Sequence, residues 1–184
     1  MTRPWSSYCF VPVAGFRVRG LRRPMVEACD TDRAVAARLA SQFSDVWHDV
    51  DRGSRRAVSK LWREAGVRPP GLYLGVAPVL HEITVMGDER SDLPVLRAIG
   101  ACSGDGKHLR FASPFVERSP DEAVQALVAH ELAHSVLRSL PGDYGGDLDA
   151  EHLDVEHLMG VWGYTERSID DSLALLRGSG AWIR

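Results

Sequence analysis

The run Ser119-Pro120-Asp121-Glu122 through Ala129-His130-Glu131-Leu132-Ala133-His134 decides the fold, because it reads as one helix with chemistry in its second half. Ser119 suits the N-cap, Pro120 the first helical position, and a carboxylate follows at Glu122. No glycine or proline interrupts the chain before Pro141-Gly142, which predicts a helix to Leu140 of about five and a half turns. Ala123, Leu127, His130, His134 and Leu137 share one stripe, and Val124, Val128, Leu132 and Val136 cover much of the rest. Such a helix is apolar nearly all round and belongs in a core. Two imidazoles four residues apart lie one above the other on a helix, so both can reach one metal ion. Glu131 stands beside them as a candidate general base, and buried histidines and a carboxylate are costly unless paired or metal-bound. Histidine pairs of this kind favour Zn2+ among first-row ions.

Outward from this helix, the chain reads as helices, then a small sheet, then two helices. Residues 1–29 read as an irregular segment, with prolines at 4, 12 and 24 and a short strand-like stretch at Phe16–Val18. A helix is predicted from Thr31 or Asp32 to Val50, and a second from Arg55 to Ala65. Leu72–Val76 and Leu80–Met86 have strand composition, residues 87–95 read as a polar loop, and Arg97–Cys102 and Lys107–Ala112 flank a hairpin turn at Ser103–Gly106. A last helical region, Asp147 to Arg177, is expected to bend near Gly160–Gly163. The layout is α+β with an antiparallel sheet, in a single domain spanning 1–184.

Composition narrows the setting. The 184 residues are 45% hydrophobic, enough for one core, and no apolar run approaches the ~20 residues of a membrane span. Cys9, Cys29 and Cys102 form neither a disulfide framework nor a zinc ribbon, and the start lacks a signal-peptide layout, so a cytoplasmic protein is expected. Net charge is −3, yet residues 1–68 carry 13 Lys+Arg against 7 Asp+Glu, leaving the remainder strongly acidic. That basic third is mainly a solvated surface on this reading; no aromatic-basic motif accompanies it, so nucleic acid is a disfavoured partner.

A catalytic zinc site needs a third protein ligand. Downstream stand Asp147, Glu151, His152, Asp154, Glu156 and His157. Leu148, Val155, Met159 and Trp162 define an inward stripe, and at 100° per residue His152 falls inside it. Glu156 lies one turn further along that edge, placed to orient a bound imidazole, and Glu151 lies on the opposite edge. His152 is therefore the expected ligand, with Glu151, Asp154 and Glu156 as open alternatives. His48, His81 and His108 have no partner at ligand spacing, Trp47 and Trp62 read as core, and Cys102 has no evident base.

Ala126–His134 resembles the active-site helix of small bacterial zincin-type (gluzincin-like) metallopeptidases. Residues 152–164, His-Leu-Asp-Val-Glu-His-Leu-Met-Gly-Val-Trp-Gly-Tyr, are similar to the downstream ligand-bearing helix of that group, and Leu109–Ser113 through Pro120 to the segment before its active-site helix. The resemblance spans about residues 97–177 and implies a zincin-like fold. It places His152 where the family has a ligand glutamate and Glu156 at the aspartate one turn later. The histidine is a departure, leaving the site one negative charge poorer while keeping a competent three-histidine zinc set. The resemblance also implies a substrate backbone lying along an edge strand, here Lys107–Ala112.

The expected function is a zinc metallopeptidase. His130, His134 and His152 hold the metal, Glu131 is the general base of hydrolysis, and a peptide or protein is the substrate. Tyr144, His157, Tyr164 and Arg138 are candidate oxyanion donors. The alternatives are a catalytically idle zincin fold serving as an interaction module, and a nucleic-acid-associated protein using the basic N-terminal third.

Overall fold

The structure, a computed structural model, describes residues 7–64, 71–77, 99–140 and 148–178. The Leu80–Met86 strand, the 87–95 loop, His81, Tyr144 and Asp147 lie outside the described residues. Those described form an α+β arrangement of six helices and a five-stranded mixed sheet. The strands are β1 (Tyr8–Pro12), β2 (Met25–Cys29), β3 (Tyr73–Ala77), β4 (Gly100–Cys102) and β5 (His108–Ala112), in the order β1-β2-β3-β5-β4. The helices are α1 (Arg33–Asp49), α2 (Arg52–Glu64), α3 (Ser113–Arg118), α4 (Asp121–Leu137), α5 (Leu148–Val161) and α6 (Arg167–Gly178). None is long and apolar enough to cross a membrane.

The sheet corrects two expectations. It is not antiparallel throughout: β2 pairs parallel with β3, and β3 parallel with β5. The two helices α1 and α2 intervene between β2 and β3, and a helical crossover returns the chain in the same direction. The described part of the first 29 residues is not irregular throughout, because β1 and β2 form an antiparallel hairpin with Pro12 opposite Met25. Its prolines sit where a missing N–H removes no ladder bond: Pro12 ends β1, and Pro24 precedes β2 while accepting from Val13 N–H at 3.0 Å. Phe16–Val18 is not a strand. Phe16 is buried because its ring packs 4.9 Å from Trp47 and 6.2 Å from Trp62.

Alternation along the strands sets the core face. Val26, Leu74 and Leu109 stand in one cross-strand row and are buried, while Glu27 and Arg110 point to the opposite face. Helix α1 packs on β1, β2 and β3, and α4 packs on β4, α1, α2, α5 and α6. The 17-residue α4 buries thirteen residues, which is why its sequence is apolar nearly all round.

Helix α4 starts one residue later than Ser119-Pro120 suggests, and it stops at Leu137. Pro120 is its N-cap, and no side chain caps it. The Ser119 hydroxyl is buried and accepts a bond from Ser172 Oγ at 2.7 Å, tying α4 to α6. Arg38 of α1 holds the junction from the other side. Its guanidinium donates to Val116 O and Ser119 O, each at 2.6 Å, and to Asp121 Oδ1 at 2.6 Å.

Asp51 caps α2, accepting from Gly53 N at 2.7 Å and Ser54 N at 3.0 Å, and its second oxygen takes Trp162 Nε1–H at 3.1 Å. The Ser54 hydroxyl, the Ser54 and Gly53 amides and the Trp162 indole together hold its carboxyl down at about 2, below an ordinary 3.8. Asp51→Ala is expected to destabilise the fold by about 1–2 kcal/mol at neutral pH, read by urea denaturation. Because the folded-state value is depressed, Asp51's contribution is present above pH 4 and fades as pH falls toward 2. A wild-type-to-variant gap that stays constant across that window would contradict this role.

Candidate metal centre

Two helices bring three histidines together. Helix α4 presents His130 and His134 one turn apart, and α5 crosses it so that His152 faces them. Each of the three offers a ligand atom, and these atoms all lie within 4.8 Å of one another. His130 Nε2 and His134 Nε2 stand 3.2 Å apart, and the ring centroids are separated by 4.9, 5.6 and 5.2 Å. His134 is buried, His130 half-buried and His152 exposed, so the cluster opens to solvent on the α5 side.

The far sides of the two α4 imidazoles are fixed by carboxylates. His130 Nδ1 meets Glu166 Oε1 at 2.7 Å, and His134 Nδ1 meets Glu151 Oε1 at 2.7 Å. A carboxylate accepts only, so each Nδ1 carries the donated hydrogen and neutral rings turn Nε2 lone pairs toward the shared point. Burial pushes His134 down to about 4, outweighing Glu151's pull upward, while Glu151 itself lies below the ordinary carboxylate range. The His134–Glu151 contact is therefore a neutral imidazole donating to an anion. Burial alone would lower His130, but Glu166, Glu131 and Glu156 outweigh it and hold the ring above its ordinary value.

With both Nδ1 atoms donating to carboxylates, two Nε2 atoms 3.2 Å apart repel unless a cation or a proton lies between them. Tetrahedral zinc with nitrogens at about 2.0–2.1 Å places pairs of ligand atoms roughly 3.3 Å apart. The donor set suits such an ion, and the His130–His134 pair already stands at that separation.

Glu131 follows His130 on α4, near enough that the two groups act on each other's charge. It is 4% exposed, and burial pushes its carboxyl up to about 7 against the opposing pull of His130 and Arg138. Its carboxylate lies against Gly100 of β4, where a Cβ would collide with Glu131 Oε1 and stand 2.9 Å from Leu127 Cδ1. Glycine at 100 lets the edge strand approach the helix. Arg138, one turn beyond His134, donates to Ser103 O at 2.6 Å and to Glu151 Oε1 at 3.3 Å, joining the β4–β5 turn to α4 and α5.

No protein-family model, curated protein or solved structure matches this chain. What the site does must be read from its own residues.

Several expectations change at this level. Lys107–Ala112 is not an edge: β5 lies between β3 and β4, its backbone groups used on both sides. Among the described residues the edge beside the site is β4. Glu156, expected to orient His152, is exposed. Glu151, an alternative ligand, instead holds His134 Nδ1, and Asp154 is exposed outside the cluster. Tyr164 donates its hydroxyl to Asp49 at 2.6 Å and Arg138 is tied as above, so neither is free as an oxyanion donor. His157 is exposed. His108 stacks on Tyr73, 4.9 Å between ring centres, and Cys102 has its thiol pushed up to about 12 by burial.

Sequence reading missed Glu166. It lies 36 residues from His130, beyond Gly163, whose φ of 90° turns the chain back between α5 and α6. Only the Gly-containing break in the helical pattern hinted at that return. Glu166→Gln and Glu151→Gln are each expected to weaken zinc binding about 10–100-fold, read by competition with a chromophoric chelator. Affinities within twofold of wild type would remove the carboxylates from the site's support.

Proposed function

We propose that this chain is a zinc-dependent metallopeptidase of zincin type, with His130, His134 and His152 as metal ligands and Glu131 as general base. The observation that carries the reading is the convergence of three imidazole nitrogens, two with carboxylate-fixed tautomers, beside a buried carboxylate on the same helix. A zinc ion held there would supply an electrophile that acidifies water and polarises a carbonyl. Glu131 takes the proton from the attacking water and passes it to the leaving amine. His152 is exposed, so substrate would approach the metal from the α5 side. Among the described residues β4 is the sheet edge beside the site, and its backbone N–H and C=O groups would take an extended peptide as an added strand.

A structural zinc site closes its fourth position and needs no buried base beside it, so Glu131 favours catalysis over an idle fold. The test is cleavage of a fluorogenic peptide library by zinc-loaded protein, wild type against Glu131→Gln. Cleavage by wild type alone supports the reading. Equal inactivity of the two zinc-loaded proteins would assign the chain to the idle, partner-binding alternative.

A further inference from the structure

We infer a second ligand site, remote in sequence from the histidine cluster, that binds a small oligophosphate. The turn at Arg17–Gly20 lies along one face of α2, and between them is a cleft of about 690 Å³ lined by Arg17, Arg19, Arg55, Arg56 and Arg63, with Trp47 at its base. No acidic residue lines it. On α2, Arg55, Arg56 and Arg63 surround the buried Ser59, with Val58 and Trp62 buried beside them. The arginines therefore cluster because the helix is amphipathic, and the turn brings two more to meet them.

Among the described residues, arginines 33, 38, 118, 138 and 167 form ion pairs, whereas none of the five in the cleft does. Within the cleft set, Arg63 Nε donates to Ser59 O at 3.1 Å, a bond inside its own helix. Five like charges around one concavity repel one another and focus a positive potential into it. An anion bearing several oxygens relieves that repulsion. Guanidinium forks match phosphate oxygens two at a time, and several forks around one space suit linked phosphate groups better than a lone carboxylate.

The volume lies in the range of small-molecule sites. Trp47 is only 5% exposed, so the cleft offers no aromatic platform for stacking bases, which argues against single-stranded nucleic acid.

The probe is inorganic tripolyphosphate, titrated calorimetrically into the full zinc-loaded chain at ~100 mM salt, a regime that leaves specific contacts measurable. Wild type is expected to bind. Arg55→Gln/Arg56→Gln and, independently, Arg17→Gln/Arg19→Gln are expected to weaken binding at least about tenfold, and Arg33→Gln/Arg167→Gln to leave it unchanged. No binding, or equal binding by the cleft variants, overturns the site. The latter result also exposes heat that arises from zinc extraction. Citrate binding as tightly would reassign it to polycarboxylates, and a DNA duplex binding more tightly through the same arginines would reassign it to nucleic acid; either overturns the oligophosphate.

Discussion

The Glu131→Gln protein is expected to hold zinc as wild type does and to cleave peptides about 10²–10⁴-fold more slowly. Glutamine keeps the size of the side chain, so it fits against Gly100 and Leu127 where the carboxylate lies now. It cannot take a proton from water. On the proposed mechanism the loss should appear in kcat with little change in KM, because a group that acts on the attacking water adds little to substrate binding. Zinc content measured on the same samples separates a missing base from a missing metal. A variant that cleaves at the wild-type rate would remove Glu131 from the chemistry.

Trp62→Ala is expected to destabilise the fold by about 3–5 kcal/mol. Trp62 is fully buried, lies 5.5 Å from Trp47 and 6.2 Å from Phe16, and donates Nε1–H toward Gly106 O and Ser135 Oγ, each at 3.1 Å. It joins α2, the β4–β5 turn and α4 just beyond His134. Small domains have about 5–15 kcal/mol in total, so this change removes a large share of it. Trp62→Phe keeps most of the ring volume and loses the donor, and should cost about 1–3 kcal/mol. Urea denaturation midpoints report both, and a Trp62→Ala shift worth less than 1 kcal/mol would show that the residue is not central to the core.

What was legible in the sequence follows from the range of the forces involved. The α4 helix and its burial, the α5 stripe of Val155, Met159 and Trp162, and the hairpin at Ser103–Gly106 are written in local periodicity and turn chemistry. The helical wheel placed His152 inside the inward stripe; its ring stands near those of His130 and His134 but is exposed, at the rim of the α4–α5 contact. Strand order is not local. Nothing in Lys107–Ala112 itself shows that β3 and β4 take both its sides, so an interior strand read as an edge. The β1–β2 hairpin was hidden because its prolines stand at strand ends, where they are harmless in the fold yet look disruptive in a linear scan. Glu166 and Glu151 reach imidazole Nδ1 atoms through the crossing of helices, and neither spacing nor composition encodes that crossing.

The most direct test of the central claim is a crystal of the zinc-loaded protein measured across the zinc absorption edge. A single anomalous peak is predicted about 2.0–2.1 Å from one ring nitrogen each of His130, His134 and His152, with a fourth position free of protein atoms. Zinc bound elsewhere, zinc closed off by a fourth side chain, or no zinc between these imidazoles would contradict the account.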